Sequence, residues 1–185
     1  VFFPSYEYLG RVLKAFRARY PSVETIEQTH DMGLRGREEF LARFVDDGKL
    51  RVGFCVLGGS FSEGVDLPGG RLIGTVVVGV GLPGLSSERN ILREYYDENG
   101  EAGYDYAYTY PGMNRVLQAV GRVIRRETDR GVAVLIDDRW REDRFRCLFP
   151  AHWNGIQYAG NQKELANIVS LFWSKDSKTT KSESP

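Results

Sequence analysis

A chain of 185 residues, 42% of them hydrophobic, can bury one proper core and fits a single domain. Its 25 basic and 25 acidic residues cancel to a formal charge of zero, which excludes a generic nucleic-acid sponge and leaves any such binding to local clusters. Two cysteines exclude a disulfide framework and a cysteine-built metal centre; no apolar stretch reaches about eighteen residues and the first apolar run stops at Pro4, so the chain reads as cytoplasmic, with no membrane span.

In chain order the pattern alternates strand and helix. Residues 1–3 end a strand, Ser5 is a candidate N-cap, and Leu9, Val12, Leu13, Phe16 and Tyr20 then recur at helical spacing. Residues 23–27 read as a second strand. Residues 35–47 read as a helix with Phe40, Leu41, Phe44 and Val45 inward and Gly48 at its end. Residues 51–57 are the third strand, 72–80 a β-branched run fit for a central parallel strand buried on both faces, and 132–136 another. Between the last two, 86–96 and 113–126 read as helices. They are joined by a link, 99–110, whose Tyr104, Tyr106, Tyr108 and Tyr110 alternate like a strand, pack over the sheet or stack on bases. Residues 161–173 form a last helix with Leu165, Ile168, Val169 and Phe172 on one face. The fold class is α/β, a mostly parallel β-sheet flanked by helices over residues 1–173, with 174–185 an aperiodic polar tail expected to be disordered.

Two runs carry chemistry. In Gln118-Ala119-Val120-Gly121-Arg122-Val123-Ile124-Arg125, the residues Gln118, Arg122 and Arg125 fall at i, i+4 and i+7, on one helix face. Leu117, Val120 and Ile124 would form the core stripe, and Gly121 lets a backbone or a phosphate come close. Planar, permanently charged guanidinium groups beside an amide suit a polyphosphate, although a solvated helix face carries the same residues. The second run, Gly59-Ser60-Phe61-Ser62-Glu63-Gly64-Val65-Asp66, follows a strand where open α/β sheets place their ligands. Ser60 and Ser62 can bond a nucleic-acid backbone and Asp66 a ribose hydroxyl or a metal-bound water, while Gly64 frees the backbone; an ordinary turn favours these residue types too. Residues 115–146 also hold nine arginines against six acidic residues, a cluster for DNA or nucleotide or an internally paired surface.

Phe2-Phe3-Pro4-Ser5-Tyr6, Ser62-Glu63-Gly64-Val65-Asp66, and the Gln118 to Arg125 run followed by Thr128-Asp129-Arg130-Gly131 resemble, in this order, motifs IV, V and VI of the XPD/DinG family of superfamily 2 DNA helicases. The likeness extends from Val1 to about Trp153. It implies a RecA-like, P-loop NTPase-type domain, the C-terminal (second) of two motor domains, and a parent that couples ATP hydrolysis to translocation on single-stranded DNA and unwinding in repair or replication. It also implies that Arg122 and Arg125 act as catalytic arginine fingers. By the same likeness Gly64, Asp66, Gln118 and Gly121 attend ATP and Mg²⁺, and Ser5, Tyr6, Ser60, Ser62 and Glu63 lie toward the DNA.

The sequence lacks a Gly-x-x-x-x-Gly-Lys-Ser/Thr phosphate loop, since Gly48-Lys49 is followed by Leu50. The expected partner is therefore the first motor domain of the same parent, absent from this chain, which carries that loop, the Mg²⁺-binding acidic box and, in many members, a four-cysteine iron–sulfur cluster. On this reading the chain is a domain fragment, inactive alone. Cys55 reads as an inert buried thiol, and His30 and His152 as structural or solvent-facing. A rival exists in Gly79-Val80-Gly81-Leu82-Pro83-Gly84, which matches the dinucleotide fingerprint of Rossmann-type oxidoreductases. It comes after three candidate strands, and its acids at Asp97 and Glu98 close a helix-like segment rather than a second strand. A non-catalytic nucleic-acid-binding module is the third reading.

Overall fold

Five strands, β1 (Phe2–Phe3), β2 (Glu24–Glu27), β3 (Arg51–Val56), β4 (Gly74–Val78) and β5 (Val132–Ile136), form one sheet in the order β2-β3-β1-β4-β5, every neighbouring pair parallel. The computed structural model describes residues 1–59, 61, 67, 69–123 and 129–174. It divides into two compact units, Val1–Leu148 and Phe149–Pro185, and the whole sheet belongs to the first.

Adjacent residues of a strand point to opposite faces, and that alternation splits the core. Phe3 packs with Phe54 and with Leu9 and Leu13 of helix α1 (Tyr6–Arg19) on one face. Phe2 lies on the other face with Ile26, Cys55, and Phe40 and Phe44. Phe3 and Phe54 are each 1% exposed and their rings stack 5.8 Å apart, so each contributes about 2–3 kcal/mol of burial. On the opposite face, with Cys55, Gly53 in β3 makes room for the Phe40 and Phe44 rings: a Cβ there would stand 2.7 Å from Phe44 Cζ.

Helix α2 (Leu34–Ala42) is shorter than the 35–47 expected. Arginines from elsewhere take the carbonyls that a longer helix would use internally. Arg71 donates to Phe44 O at 2.7 Å and Leu41 O at 3.3 Å, and Arg51 donates to Val45 O at 3.2 Å. Val45, expected inward, is 46% exposed.

Helix α3 (Ser87–Glu98) starts at its Ser86 cap. The link that follows contains no strand among its residues. Asp105–Thr109 is a π-helical turn running directly into α4 (Tyr110–Val120), so the tyrosines pair one turn apart, Tyr104 with Tyr108 at 5.1 Å and Tyr106 with Tyr110 at 5.2 Å. A π turn misaligns a carbonyl ladder. Arg89 of α3 donates to Ala107 O at 2.8 Å, and Tyr108, 2% exposed, donates its hydroxyl to Asn90 Oδ1.

Helix α4 ends at Val120; of the expected 113–126, residues 121–123 form a turn and 124–126 lie outside the described residues, and the buried stripe is Gly112, Met113, Val116 and Ala119, continued by Val123. Leu117 and Val120, expected in the core, are only half-buried. Beyond β5 come a 3₁₀ turn (Asp138–Arg141), whose Trp140 is buried against Phe145, and the short helix α5 (Asp143–Arg146). The second unit contains helix α6 (Gln162–Ser174), where Leu165, Ile168, Val169 and Phe172 are the half-buried side. The tail residues 175–185 lie outside the described residues. Among the described residues no helix is long and apolar enough to cross a membrane.

Candidate nucleotide and nucleic-acid edge

In a parallel sheet all carboxyl ends of the strands lie along one edge, where ligands of open α/β folds sit. Ser5 and Tyr6 leave β1 there. Ser5 is the N-cap of α1, its Oγ accepting from Tyr8 N at 3.2 Å; the hydroxyl still has its proton to donate to a phosphate oxygen.

Tyr6 is held by Gln28 at the exit of β2. Gln28 is 4% exposed, and both ends of its amide are used: Oε1 accepts from Val56 N at 2.8 Å and Nε2 donates to the Tyr6 hydroxyl at 2.9 Å. Burial pushes the Tyr6 hydroxyl above the usual phenol range, so it stays a neutral donor at working pH. His30, two residues on, stacks on Tyr6 with ring centroids 3.7 Å apart. Gln28 is absent from the motif reading, yet a signal for it exists: it lies two residues after Ile26 and so shares the core-facing register of a strand.

At the exit of β3, Gly58 has φ +77° and a Cβ there would stand 2.8 Å from Nε of Arg115. The glycine lets Arg115 of α4 lie over the strand end. Gly59 packs on Gln28, where a Cβ would stand 2.9 Å from Nε2. The loop beyond carries Ser60, Ser62, Glu63, Gly64 and Asp66, which lie outside the described residues.

Gln118 follows Arg115 by one turn of α4 and is exposed. Gly121 is the C-cap in a right-handed conformation (φ −62°), its N–H donating to Leu117 O at 2.8 Å, and Val123 N reaches back only to Val120 O. Arg122 therefore sits in a tightened turn beyond the helix, half-buried, rather than on the regular helix face expected from the i, i+4 spacing. Arg125 lies outside the described residues. An exposed amide, a half-buried guanidinium and a glycine whose Cβ would meet only the Leu117 and Gln118 carbonyls among the described residues are donors and space that fit a polyphosphate.

The exit of β4 argues against the dinucleotide reading. Gly79 and Gly81 both have positive φ, but the chain stays irregular to Ser86 and no helix opens at the turn. Gly81 instead meets Gly112 of α4, where a Cβ on either glycine would run into the other's backbone. No group of three or more His, Cys, Asp or Glu side chains that could hold a metal occurs among the described residues. Cys55 is buried and its thiol pushed up to about 12 by that burial, while Cys147 is exposed.

Residues 1–156 match the family model described as helicase C-terminal domain. The chain is 31% identical over 177 residues to a regulator of telomere elongation helicase 1 homolog of Culex quinquefasciatus, covering 85% of this chain and 18% of that protein. It is 28% identical to the ATP-dependent DNA helicase chl1 of Aspergillus niger, covering 81% of this chain and 21% of that protein, and 31% identical to a probable ATP-dependent helicase of Methanocaldococcus jannaschii, covering 90% and 25%. The chain thus spans about a fifth to a quarter of the length of these relatives. Among solved structures it is similar to the apo form of XPD, with a TM-score of 0.59 at 23% identity over 79% of this chain and 29% of that one, a likeness of RecA-type fold. The chain belongs to the XPD/DinG family of superfamily 2 helicases, as its C-terminal RecA-like domain.

Proposed function

We propose that this chain works as the second motor domain of an ATP-dependent DNA helicase acting in repair or replication, completing an ATP site whose phosphate loop belongs to a partner motor domain. The observation that carries this reading is the placement of Arg115 over Gly58, which ties the start of the Gln118 to Arg125 segment to the strand end that feeds the Ser60 to Asp66 loop. When bound, ATP with Mg²⁺ supplies the phosphoryl-transfer chemistry. Arg122 and Arg125 neutralise phosphate oxygens, Gln118 hydrogen-bonds beside them, Gly121 leaves room, and Gly64 and Asp66 attend the ribose or the metal's water. Ser5, Tyr6, Ser60, Ser62 and Glu63 hold single-stranded DNA. A shift of α4 passes through Arg115 to the β3 exit, which gives a mechanical route between the two sites.

The test compares neighbouring arginines in the full helicase. Arg125→Ala and Arg122→Ala should lower turnover by a factor on the order of a thousand or more while DNA binding largely survives, and Arg126→Ala, which changes an arginine outside the proposed phosphate contacts, should do much less. Equal losses at all three positions would reduce the segment to a general electrostatic role. This chain alone should release no phosphate in the presence of single-stranded DNA; turnover near one per second from it would overturn the shared-site reading.

A further inference from the structure

We infer that Tyr6 and His30 form a stacked aromatic step that receives one unpaired nucleobase of a single-stranded nucleic acid, and that Gln28 is the buried residue that positions it. This rests on the DNA-motor reading above and adds to it a residue, His30, and a ligand group, the base rather than the phosphate.

The step is fixed at three points. The two rings lie 3.7 Å apart at an interplanar angle of 29°, so neither wanders independently. The Tyr6 hydroxyl is tied to Gln28 Nε2 at 2.9 Å, and Gln28 is in turn tied to Val56 N at 2.8 Å, the last residue of β3. Gly59, which opens the serine-bearing loop, rests on the same amide. The stack is thus referenced to the strand end that carries the proposed backbone contacts, and its geometry is set by a side chain that is 4% exposed.

His30 itself is exposed and stacks on Tyr6. A heteroaromatic ring held rigid on an aromatic base, at the edge of the sheet where DNA is proposed to run, has the chemistry of a base-stacking platform. Every base offers a π face, so such a platform tolerates any sequence, as a translocating motor requires. A pair that only pinned the start of α1 would need neither an exposed outer ring nor a link to the β3 exit.

The experiment measures anisotropy of this chain with a labelled 20-nucleotide oligothymidine and with an oligomer of equal length made of abasic sites, both at low salt. The wild type should prefer oligothymidine. His30→Ala should lower affinity for oligothymidine by about five-fold to a hundred-fold, the range for loss of one stacked base, and leave the abasic oligomer unchanged. His30→Phe should keep the preference, and Gln28→Met, which retains volume but removes the amide bond to the Tyr6 hydroxyl, should weaken it. Oligothymidine carrying 5-iodouracil should photocross-link to Tyr6 or His30. Equal losses of His30→Ala on both oligomers, no loss on either, or cross-links confined to other residues would overturn the step and leave the DNA reading intact. Absence of any binding by the wild type would remove the DNA reading, and the step with it.

Discussion

Gly81→Ala separates close packing from ligand binding, because the helicase and dinucleotide readings value this glycine for different reasons. Gly81 has φ +73°, and a Cβ there would run into the carbonyl oxygen of Gly112 on α4. Gly112 is equally tight: its own Cβ would stand 3.0 Å from Val80 O, Gly81 C and Leu82 N. All these atoms are backbone, so no side chain can swing away. The left-handed conformation costs an alanine about 1–2 kcal/mol. Forcing α4 off the loop costs a further ~1–3 kcal/mol, for a sum of about 2–5 kcal/mol against a typical total stability of about 5–15 kcal/mol. Gly79 is the internal control, with φ +88° but nothing within 4 Å, so Gly79→Ala should pay only the conformational part. Urea unfolding followed by tryptophan fluorescence and circular dichroism reads the difference. With a slope of about 2 kcal/mol per molar, Gly81→Ala should lower the midpoint by roughly 1–2.5 M and Gly79→Ala by roughly 0.5–1 M, with slopes unchanged. NAD should give no saturable binding in the micromolar range to any of the three proteins. Equal midpoint shifts for the two glycines would refute the packing argument, and a micromolar NAD complex lost on changing either would refute the assignment of this loop.

Acid should destabilise the first unit through a defined cluster. Two hydrogen bonds from Arg51 hold Asp47 well below the usual carboxylate range, and bonding from Arg43 and the nearby Arg51 lowers Glu24. Both folded values are depressed, so the stabilisation is complete above the unfolded values of about 3.9 and 4.3 and is lost as pH falls through them toward the folded ones. Unfolding midpoints should hold from about pH 7 to 5 and drop below about pH 4; an undiminished drop in Arg51→Met would place the acid sensitivity elsewhere. Arg89→Met should orphan the buried Ala107 carbonyl at a cost of about 1–3 kcal/mol and speed amide exchange in residues 103–110 while β3 stays protected; unchanged exchange there would show that the π turn holds itself. An aromatic disulfide reagent at pH 8 should label Cys147 at once and Cys55 only on unfolding, and rapid labelling of both thiols would contradict the buried position of β3.

Strands were legible where the pattern is local: 132–136 coincides with β5, and 51–57 with β3 to within one residue. Helix ends were not, because what ends them is remote. The Arg71 guanidinium that caps α2 comes from 27 and 30 residues away, and no window along the helix contains it. The tyrosine link shows a different limit. Two interleaved pairs at i, i+4 occupy the same sequence positions as the alternating residues of a strand, so spacing alone cannot separate the two. On α4 the core stripe lies one residue away from Leu117 and Val120, and Ile124 lies outside the described residues. Leu117, Val120 and Ile124 are the bulky choice, whereas close approach of α4 to the β4 exit at Gly81 selects Gly112, Val116 and Ala119, two of them too small to register as core.

The proposed site rests on motifs visible in the sequence, and of its residues the structure describes Ser5, Tyr6, Gln118, Gly121 and Arg122. The supports were readable only as violations of the local pattern. Gln28 puts an amide on the core register of β2, and Gly58 and Gly81 put left-handed backbone at the exits of β3 and β4. Each violation is stable only because a specific neighbour answers it: Val56 N for Gln28, Arg115 for Gly58, Gly112 for Gly81. Residues that break the rule of their own element, and are compensated from another, mark the edge along which two elements must act together. In this fold that edge joins β2, β3 and α4, which is why Gln28 and Arg115, neither part of a recognisable motif, stand between the segments that are.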